Sequence, residues 1–120
     1  MPSTEETQEA SLEIRRVLEA EARRRRTIYY SELTPQVKAM YIEPGSKLLA
    51  ELLDGISRDS NQTKGVMLSA IVIRKGDEPL PGPGFFKLAR ELGNEVGPDE
   101  LEELQFHAQE LEAVYSAYTP

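Results

Sequence analysis

Basic side chains are the residues of this chain best suited to chemistry, and four of them are consecutive arginines at positions 23–26. Each guanidinium group presents paired N–H donors whose geometry matches the oxygens of a phosphate. Two interpretations are open: contacts with nucleic-acid phosphates, or a solvated helix end whose charge Glu19 and Glu21 partly offset, and the second is the more common role of a run of four charges. The predicted contact set is Arg23, Arg24, Arg25, Arg26, Lys47, Arg58, Arg74 and Lys75.

The residue types give little basis for catalysis. The chain has no cysteine, which excludes a thiol nucleophile, a thiolate metal site and a disulfide. Its one histidine, His107, excludes a multi-histidine metal site. The glutamates near it have no spacing typical of a metal site or of a general acid. We therefore predict a protein that is not an enzyme, with no catalytic residue, metal or cofactor.

The net charge of −7 is distributed unevenly along the chain. Residues 1–75 hold 12 basic and 11 acidic side chains, whereas residues 76–120 hold 2 basic and 10 acidic ones. A strongly acidic segment repels DNA and suits a basic protein partner. Two binding hypotheses follow: contact with duplex DNA through the basic residues, or contact with a basic protein or a second copy through the acidic C-terminal helix.

Helical periodicity and capping residues predict three helices in the first half of the chain. The first covers 4–26, with Ser3 and Glu6 at capping-box spacing. A short strand over 27–30 precedes a helix capped by Ser31 or Thr34. A third helix, capped by Ser46, is predicted to end near residues 59–61. The apolar stripe of the first helix comprises Ala10, Ile14, Val17 and Leu18.

An almost continuously apolar run over 66–74 predicts a strand that is covered on both faces. Glycines and prolines make 76–84 a loop, which Phe85 and Phe86 follow at the start of a short helix ending at Gly93. We expect at least one of these rings to enter the core. The other would be exposed as a surface for stacking on a partner.

The last helix, over 98–118, carries apolar residues at heptad spacing. We expect its stripe to pack on a partner protein or on a second copy of the chain, with Tyr115 and Tyr118 among the contacts. The stripe comprises Leu101, Leu104, Ala108, Leu111, Tyr115 and Tyr118.

The order of these elements predicts an α+β, mainly helical fold with a winged helix-turn-helix-like arrangement. A length of 120 residues suits one domain spanning 1–120. Its parts are the helix over 4–26, the winged-helix-like core over 27–93 and the acidic C-terminal helix over 98–118. No apolar run approaches the roughly 20 residues of a membrane helix, and the polar N-terminus is unlike a signal peptide, so we predict a cytoplasmic protein with no membrane contact.

In such a fold, the third helix would be the recognition helix. Its outward face carries Lys47 and Glu51, and then Asp54 and Arg58, each pair four residues apart. This spacing favours ion pairs within the helix. A face whose charges are balanced in this way argues against reading of bases in the major groove.

The segment Tyr30-Ser31-Glu32-Leu33 and the helix after it resemble the Tyr-Gly-Glu-Leu-Ala region of the winged-helix domain of alkylguanine–DNA alkyltransferases. That family then carries an apolar strand with Pro-Cys-His-Arg, where this chain has Met67–Ile73 and places Ser69 near the cysteine position. Without the cysteine and its histidine, the resemblance implies a DNA-binding relative that does not transfer alkyl groups.

A second resemblance is to small uncharacterised bacterial proteins with the pattern Leu-Ser-Ala-x-Val-x-x-Lys-Gly. In these proteins it is followed by Pro-Gly-x-Gly-Phe-Phe-x-Leu-Ala-Arg-Glu-Leu-Gly. This chain is similar from Leu68 through Gly93, and more loosely elsewhere. The resemblance implies a shared fold and a bacterial or phage origin, and carries no activity with it.

Overall fold

Five α-helices and a small two-stranded sheet make up the structure, a computed structural model that describes residues 4–77 and 79–120. The predicted mainly helical composition is confirmed, while Ser3 of the predicted capping box lies outside the described residues. The elements are α1 (Thr4–Arg23), β1 (Ile28–Tyr29), α2 (Tyr30–Leu33), a 3₁₀ helix (Thr34–Gln36), α3 (Lys47–Lys64), a second 3₁₀ helix (Leu68–Ile71), β2 (Val72–Ile73), α4 (Pro83–Glu91) and α5 (Glu100–Tyr118).

The two strands pair in parallel, with Ile28 opposite Val72 and Tyr29 opposite Ile73. Parallel pairing requires a crossover, and α2 and α3 lie between the two strands in the chain. After β2, the backbone N–H of Arg74 donates to the Leu80 carbonyl at 3.0 Å, which closes a loop that leads into α4. No further strand occurs in residues 74–77 or 79–82.

Helix α1 ends at Arg23, three residues before its predicted end, and the chain then makes a Schellman turn. The N–H of Arg25 donates to the Ala22 carbonyl and that of Arg26 to the Glu21 carbonyl, both at 3.0 Å. Arg25 adopts a left-handed φ of 55°, a conformation that usually favours glycine. The predicted helix boundary was wrong because this turn lacks the glycine that normally marks it.

The start of α3 and the end of α4 were predicted correctly, because a capping residue marks each of them in the sequence. Ser46 caps α3 by accepting a hydrogen bond from the Leu49 N–H at 3.2 Å. Gly93 follows α4 with a φ of 94°, as predicted. The predicted end of α3 was wrong, since the helix continues to Lys64 and stops at Gly65, whose φ is 72°.

The predicted strand over 66–74 is mostly a 3₁₀ helix, and only Val72–Ile73 is strand. Two serines of α3 satisfy its backbone in place of a β-ladder. Ser57 Oγ accepts from the Ser69 N–H at 2.9 Å, and Ser60 Oγ accepts from the Leu68 N–H at 3.0 Å. Because these hydroxyls supply acceptors deep in the core, the segment can be buried without a neighbouring strand.

Helix α5 completes the hydrogen bonding of the same buried segment from the opposite side. A carboxylate oxygen of Glu110 accepts from the Met67 N–H at 2.7 Å. Nε2 of the buried His107 lies 2.8 Å from the Ala70 carbonyl oxygen, to which it donates. Both α5 residues therefore have structural roles, and His107 fits best as a neutral imidazole protonated on Nε2.

We expect His107 to make the protein less stable in mild acid. Burial lowers the pKa of His107 below its ordinary value of 6.5, although the bond with Ala70 opposes this effect. Below pH 6.5 the unfolded chain takes up a proton that the folded chain does not, so the free energy of unfolding falls until the pH reaches the lowered pKa. Each pH unit of that interval lowers the free energy by up to about 1.4 kcal/mol.

The variant His107→Gln tests this prediction, because an amide N–H can still donate to Ala70 but does not titrate. Urea unfolding at pH 7.5 and pH 5.5 should show a smaller loss of stability for the variant than for the wild type. Burial raises the pKa of Glu110, whose contribution falls with rising pH and is present in both proteins. Equal pH dependence of the two proteins would contradict a shifted His107.

The core lies where α1, α3, α5 and the second 3₁₀ helix meet. Helix α1 buries Ala10, Ile14 and Leu18 as its periodicity predicted, whereas Val17 is only half buried. Among the described residues, no helix combines the length and apolar character that crossing a bilayer requires.

Candidate functional site

A groove of about 870 Å³ separates α3 from the loop and helix that follow β2. Apolar residues of α3 and α4, among them Leu53 and Leu88, form part of its lining. Tyr29 and Tyr30 line it where β1 meets α2, and Gly82, Pro83 and Gly84 line it where α4 begins. The volume of the groove lies within the range of about 300 to 1,000 Å³ that is typical of ligand-binding clefts.

The groove gathers basic residues from distant parts of the sequence. Four predicted phosphate contacts line it, together with Lys87 of α4, which sequence reasoning missed. Three carboxylates also line it, those of Glu51, Asp54 and Glu91. The groove thus has a local excess of positive charge in a chain whose net charge is −7. Its five cations are Lys47, Arg58, Arg74, Lys75 and Lys87.

Arg58 is held by two carboxylates and is not free to bind an anion. Its Nε lies 2.8 Å from an Asp54 oxygen on the same helix. One of its terminal nitrogens lies 2.6 Å from a Glu91 oxygen on α4. Hydrogen bonds to both acids raise the pKa of Arg58. Its role in the groove is therefore to link α3 to α4.

Three groove cations have no carboxylate of the described residues within ion-pair distance: Arg74, Lys75 and Lys87. All three are exposed. Lys75 Nζ lies 5.4 Å from the centre of the Tyr29 ring, which places it over an aromatic face. The free charges of the groove are thus concentrated at the end of β2 and on α4.

Tyr30 fixes the loop beneath these cations. Its hydroxyl oxygen accepts a hydrogen bond from the Gly82 N–H at 2.9 Å, which ties α2 to the start of α4. Burial raises the pKa of Tyr30, while the Gly82 bond and the charge of Arg74 oppose that rise. The phenol therefore stays protonated at neutral pH and acts as a positioning group.

None of the four consecutive arginines lines the groove. Arg24 and Arg26 pair with Glu21, at 3.5 Å and 3.1 Å. Arg25 forms an ion pair with Glu112 of α5 and lies 5.3 Å from the centre of the Tyr115 ring. These contacts join the end of α1 to α5, in keeping with the alternative of a helix end with offset charge. Arg23 lies on the exposed surface beside them.

The expectation that Phe85 or Phe86 is exposed was wrong, because the structure buries both side chains. The two rings pack edge to face with centres 5.1 Å apart. Phe85 also lies 6.1 Å from the rings of Phe106 and His107 on α5. The helix that starts at Pro83 turns successive side chains toward α5 and the core, so neither ring stands out as a surface for a partner.

The tyrosines predicted to contact a partner are engaged within the chain. Tyr115 is buried beneath Arg25, and the half-buried Tyr118 lies beneath Lys64, whose Nζ is 5.0 Å from the ring centre. The predicted apolar stripe of α5 divides in two. Its C-terminal half packs on the protein, whereas Leu101 is 62% exposed and Leu104 is 40% exposed.

Ser69 lines the groove, but its surroundings do not activate it. Its Oγ accepts from Ser57 Oγ at 2.5 Å, a contact between two neutral hydroxyls. A serine without an adjacent base is a poor nucleophile. Among residues 4–77 and 79–120, no group of three or more His, Asp or Glu side chains is placed to hold a metal ion.

Comparison of the chain with protein-family models, curated proteins and solved structures finds no match. The support for a function is therefore the chemistry of the groove: free cations, a tyrosine-lined edge and apolar walls. These features suit a ligand with dispersed negative charge.

Proposed function

We propose that this protein is a non-enzymatic binding module whose groove binds the sugar–phosphate backbone of duplex DNA. The observation that carries the proposal is the clustering of Arg74, Lys75 and Lys87, all exposed and without a carboxylate partner in the described residues, along one groove of an acidic chain. Solvated surface charge needs no such clustering, whereas phosphate binding does.

Hydrogen bonds hold the backbone segments that carry these cations. Arg74 and Lys75 directly follow β2, and the Arg74 N–H is bonded to the Leu80 carbonyl. Lys87 lies on α4, whose start is held by the Gly82–Tyr30 hydrogen bond. A phosphate bound here would meet cations whose backbone is fixed, and Lys75 is further oriented by the Tyr29 ring.

Reading of base sequence is not part of the proposal. Helix α3 corresponds to the recognition helix of the winged-helix resemblance, but Glu51 and Asp54 on it would face the phosphates. Arg58, its best candidate for a base contact, is already held by Asp54 and Glu91. We therefore propose contacts to the backbone without sequence specificity.

Salt dependence of binding provides the first test. If three cations each neutralise one phosphate, the slope of log K against log salt concentration should be about −3, since each contact contributes roughly −0.9. Fluorescence anisotropy of a labelled duplex at several salt concentrations would measure this slope. The triple variant R74Q/K75Q/K87Q should bind more weakly, with a slope near zero.

A matched control is the triple variant R23Q/R24Q/R26Q, which lowers the net charge by the same amount at the other basic surface. It should keep most of the wild-type affinity and slope. Equal losses in both variants would mean that the groove is not the binding surface. Absence of wild-type binding at low salt would refute DNA binding altogether.

A second candidate function, protein interaction through α5, is favoured by the exposure of Leu101 and Leu104. These side chains lie in the acidic part of the chain, so a partner with basic groups and an apolar surface would complement them. The groove of this protein has both properties, since basic and apolar residues line it.

A further inference from the structure

The N-terminal half of α5 presents an apolar stripe that the protein does not cover. Leu101, Leu104 and Ala108 are all exposed and follow one another at spacings of three and four, which places them on one face of the helix. Helix α5 buries His107, Val114 and Tyr115 against its own chain. Val114 and Tyr115 lie farther along the helix, and His107 lies on an adjacent face, about 60° or more around the helix from the three stripe residues. The stripe is therefore available to a partner.

Carboxylates flank this stripe, and two of those on α5 have a cation partner: Glu103 pairs with Arg90 at 3.4 Å, and Glu112 pairs with Arg25. Residues 91–120 contain no lysine or arginine. Glu100 and Glu102 are exposed beside Leu101. A hydrogen bond with Asp99 and its charge raise the pKa of Glu102, as expected where acids crowd together. A partner that supplies cations would relieve this repulsion.

The groove has the complementary properties. Arg74, Lys75 and Lys87 are its free cations, and Ala50 and Pro83 contribute exposed apolar side chains to its lining. Helices with an acidic, leucine-bearing face dock in grooves of this kind through anchors at i, i+3 and i+7. Residues 101, 104 and 108 have this spacing.

We infer that the acidic, leucine-bearing start of α5 in one copy docks into the groove of a second copy. A symmetric pairing of two α5 helices is disfavoured, because it would bring two sets of carboxylates together. Docking of α5 into a groove joins two different surfaces, so each copy offers one helix and one groove. The contacts close into a two-fold dimer or a ring where the rotation between copies allows it, and otherwise extend into head-to-tail chains. In each case the mass of the assembly rises with protein concentration.

This inference uses the groove of the proposed function but does not depend on DNA binding. An acidic helix in the groove would cover the cations that DNA needs, so self-association and DNA binding would compete. Sedimentation velocity without DNA tests the inference separately. Concentrations up to about 1 mM are needed, because a contact with a Kd in the millimolar range becomes populated only there. The wild-type sedimentation coefficient should rise with concentration.

Two variants divide the contact into its halves. L101Q/L104Q removes the apolar anchors and leaves the groove intact, whereas R74E/K75E reverses the free charges beside β2 and leaves α5 intact. Each variant alone should remain monomeric, because each lacks one half of the contact. An equimolar mixture should form dimers and nothing larger, since only one productive contact remains per pair.

The control is Leu12→Gln on α1, which changes a leucine that is 53% exposed and lies outside the groove lining. It should associate as the wild type does, and unfolding curves should show that all variants fold. A wild-type protein that stays monomeric throughout would overturn the inference. So would association that survives either double variant, or a variant mixture that contains only monomers.

Discussion

Replacing Ser60 with alanine is expected to lower the free energy of unfolding by about 2 to 4 kcal/mol, because one hydroxyl satisfies two buried backbone groups. Ser60 Oγ donates to the Val66 carbonyl at 2.7 Å and accepts from the Leu68 N–H at 3.0 Å. Alanine fits the space but leaves both groups without a partner. Water cannot take the place of the missing hydroxyl at low cost, since Val66 and Leu68 are buried.

Thr63→Ala provides the control on the same helix. The Thr63 hydroxyl donates to the Asp59 carbonyl at 3.0 Å, but this residue is exposed and water can take over the bond. We expect a change within about 0.5 kcal/mol. Urea unfolding followed by circular dichroism would measure both variants. A Ser60→Ala effect no larger than that of Thr63→Ala would contradict the anchoring role of Ser60.

The features of the fold that local sequence could predict are those set by neighbouring residues. Ser46 caps α3 through the N–H of Leu49, three residues away. Gly93 ends α4 because glycine adopts a left-handed conformation without strain. The buried face of α1 follows from the spacing of Ala10, Ile14 and Leu18. Each of these signals lies within one or two helical turns.

The conformation of residues 66–74 was predicted wrongly because the groups that determine it are distant in sequence. An apolar run is typical of a buried strand, yet Ser57, Ser60 and Glu110 accept the hydrogen bonds of its backbone N–H groups. A signal was nevertheless present. Ser57 and Ser60 continue the buried face of α3 beyond Ile56, and buried hydroxyls require partners.

In the candidate site too, the sequence indicates which residues are charged but not which charges are paired. Positive charge could be recognised residue by residue, and Lys47, Arg58, Arg74 and Lys75 do line one groove. Which charges stay free depends on tertiary contacts. The Glu91 that holds Arg58 comes from another helix, and the Glu112 that holds Arg25 comes from α5.

Phe86→Ala is expected to have the largest effect, a loss of about 3 to 5 kcal/mol in the free energy of unfolding. The ring is 3% exposed and packs edge to face on Phe85 in the hydrophobic core. Truncation removes this contact and leaves a cavity whose walls can collapse only partly. Unfolding by urea, under the conditions used for Ser60→Ala, measures the loss.

Comparison with Tyr41→Ala distinguishes a structural role from a partner-binding role for residues 81–86, the Pro-Gly-Pro-Gly-Phe-Phe segment. Tyr41 is 82% exposed, so its removal should change stability by no more than about 0.5 kcal/mol. A partner-binding Phe86 would behave like Tyr41 in unfolding and would show its effect only in binding. A large loss of stability would instead mean that the segment has a structural role. It places the two rings in the core and thereby fixes α4, which carries Lys87 at the groove.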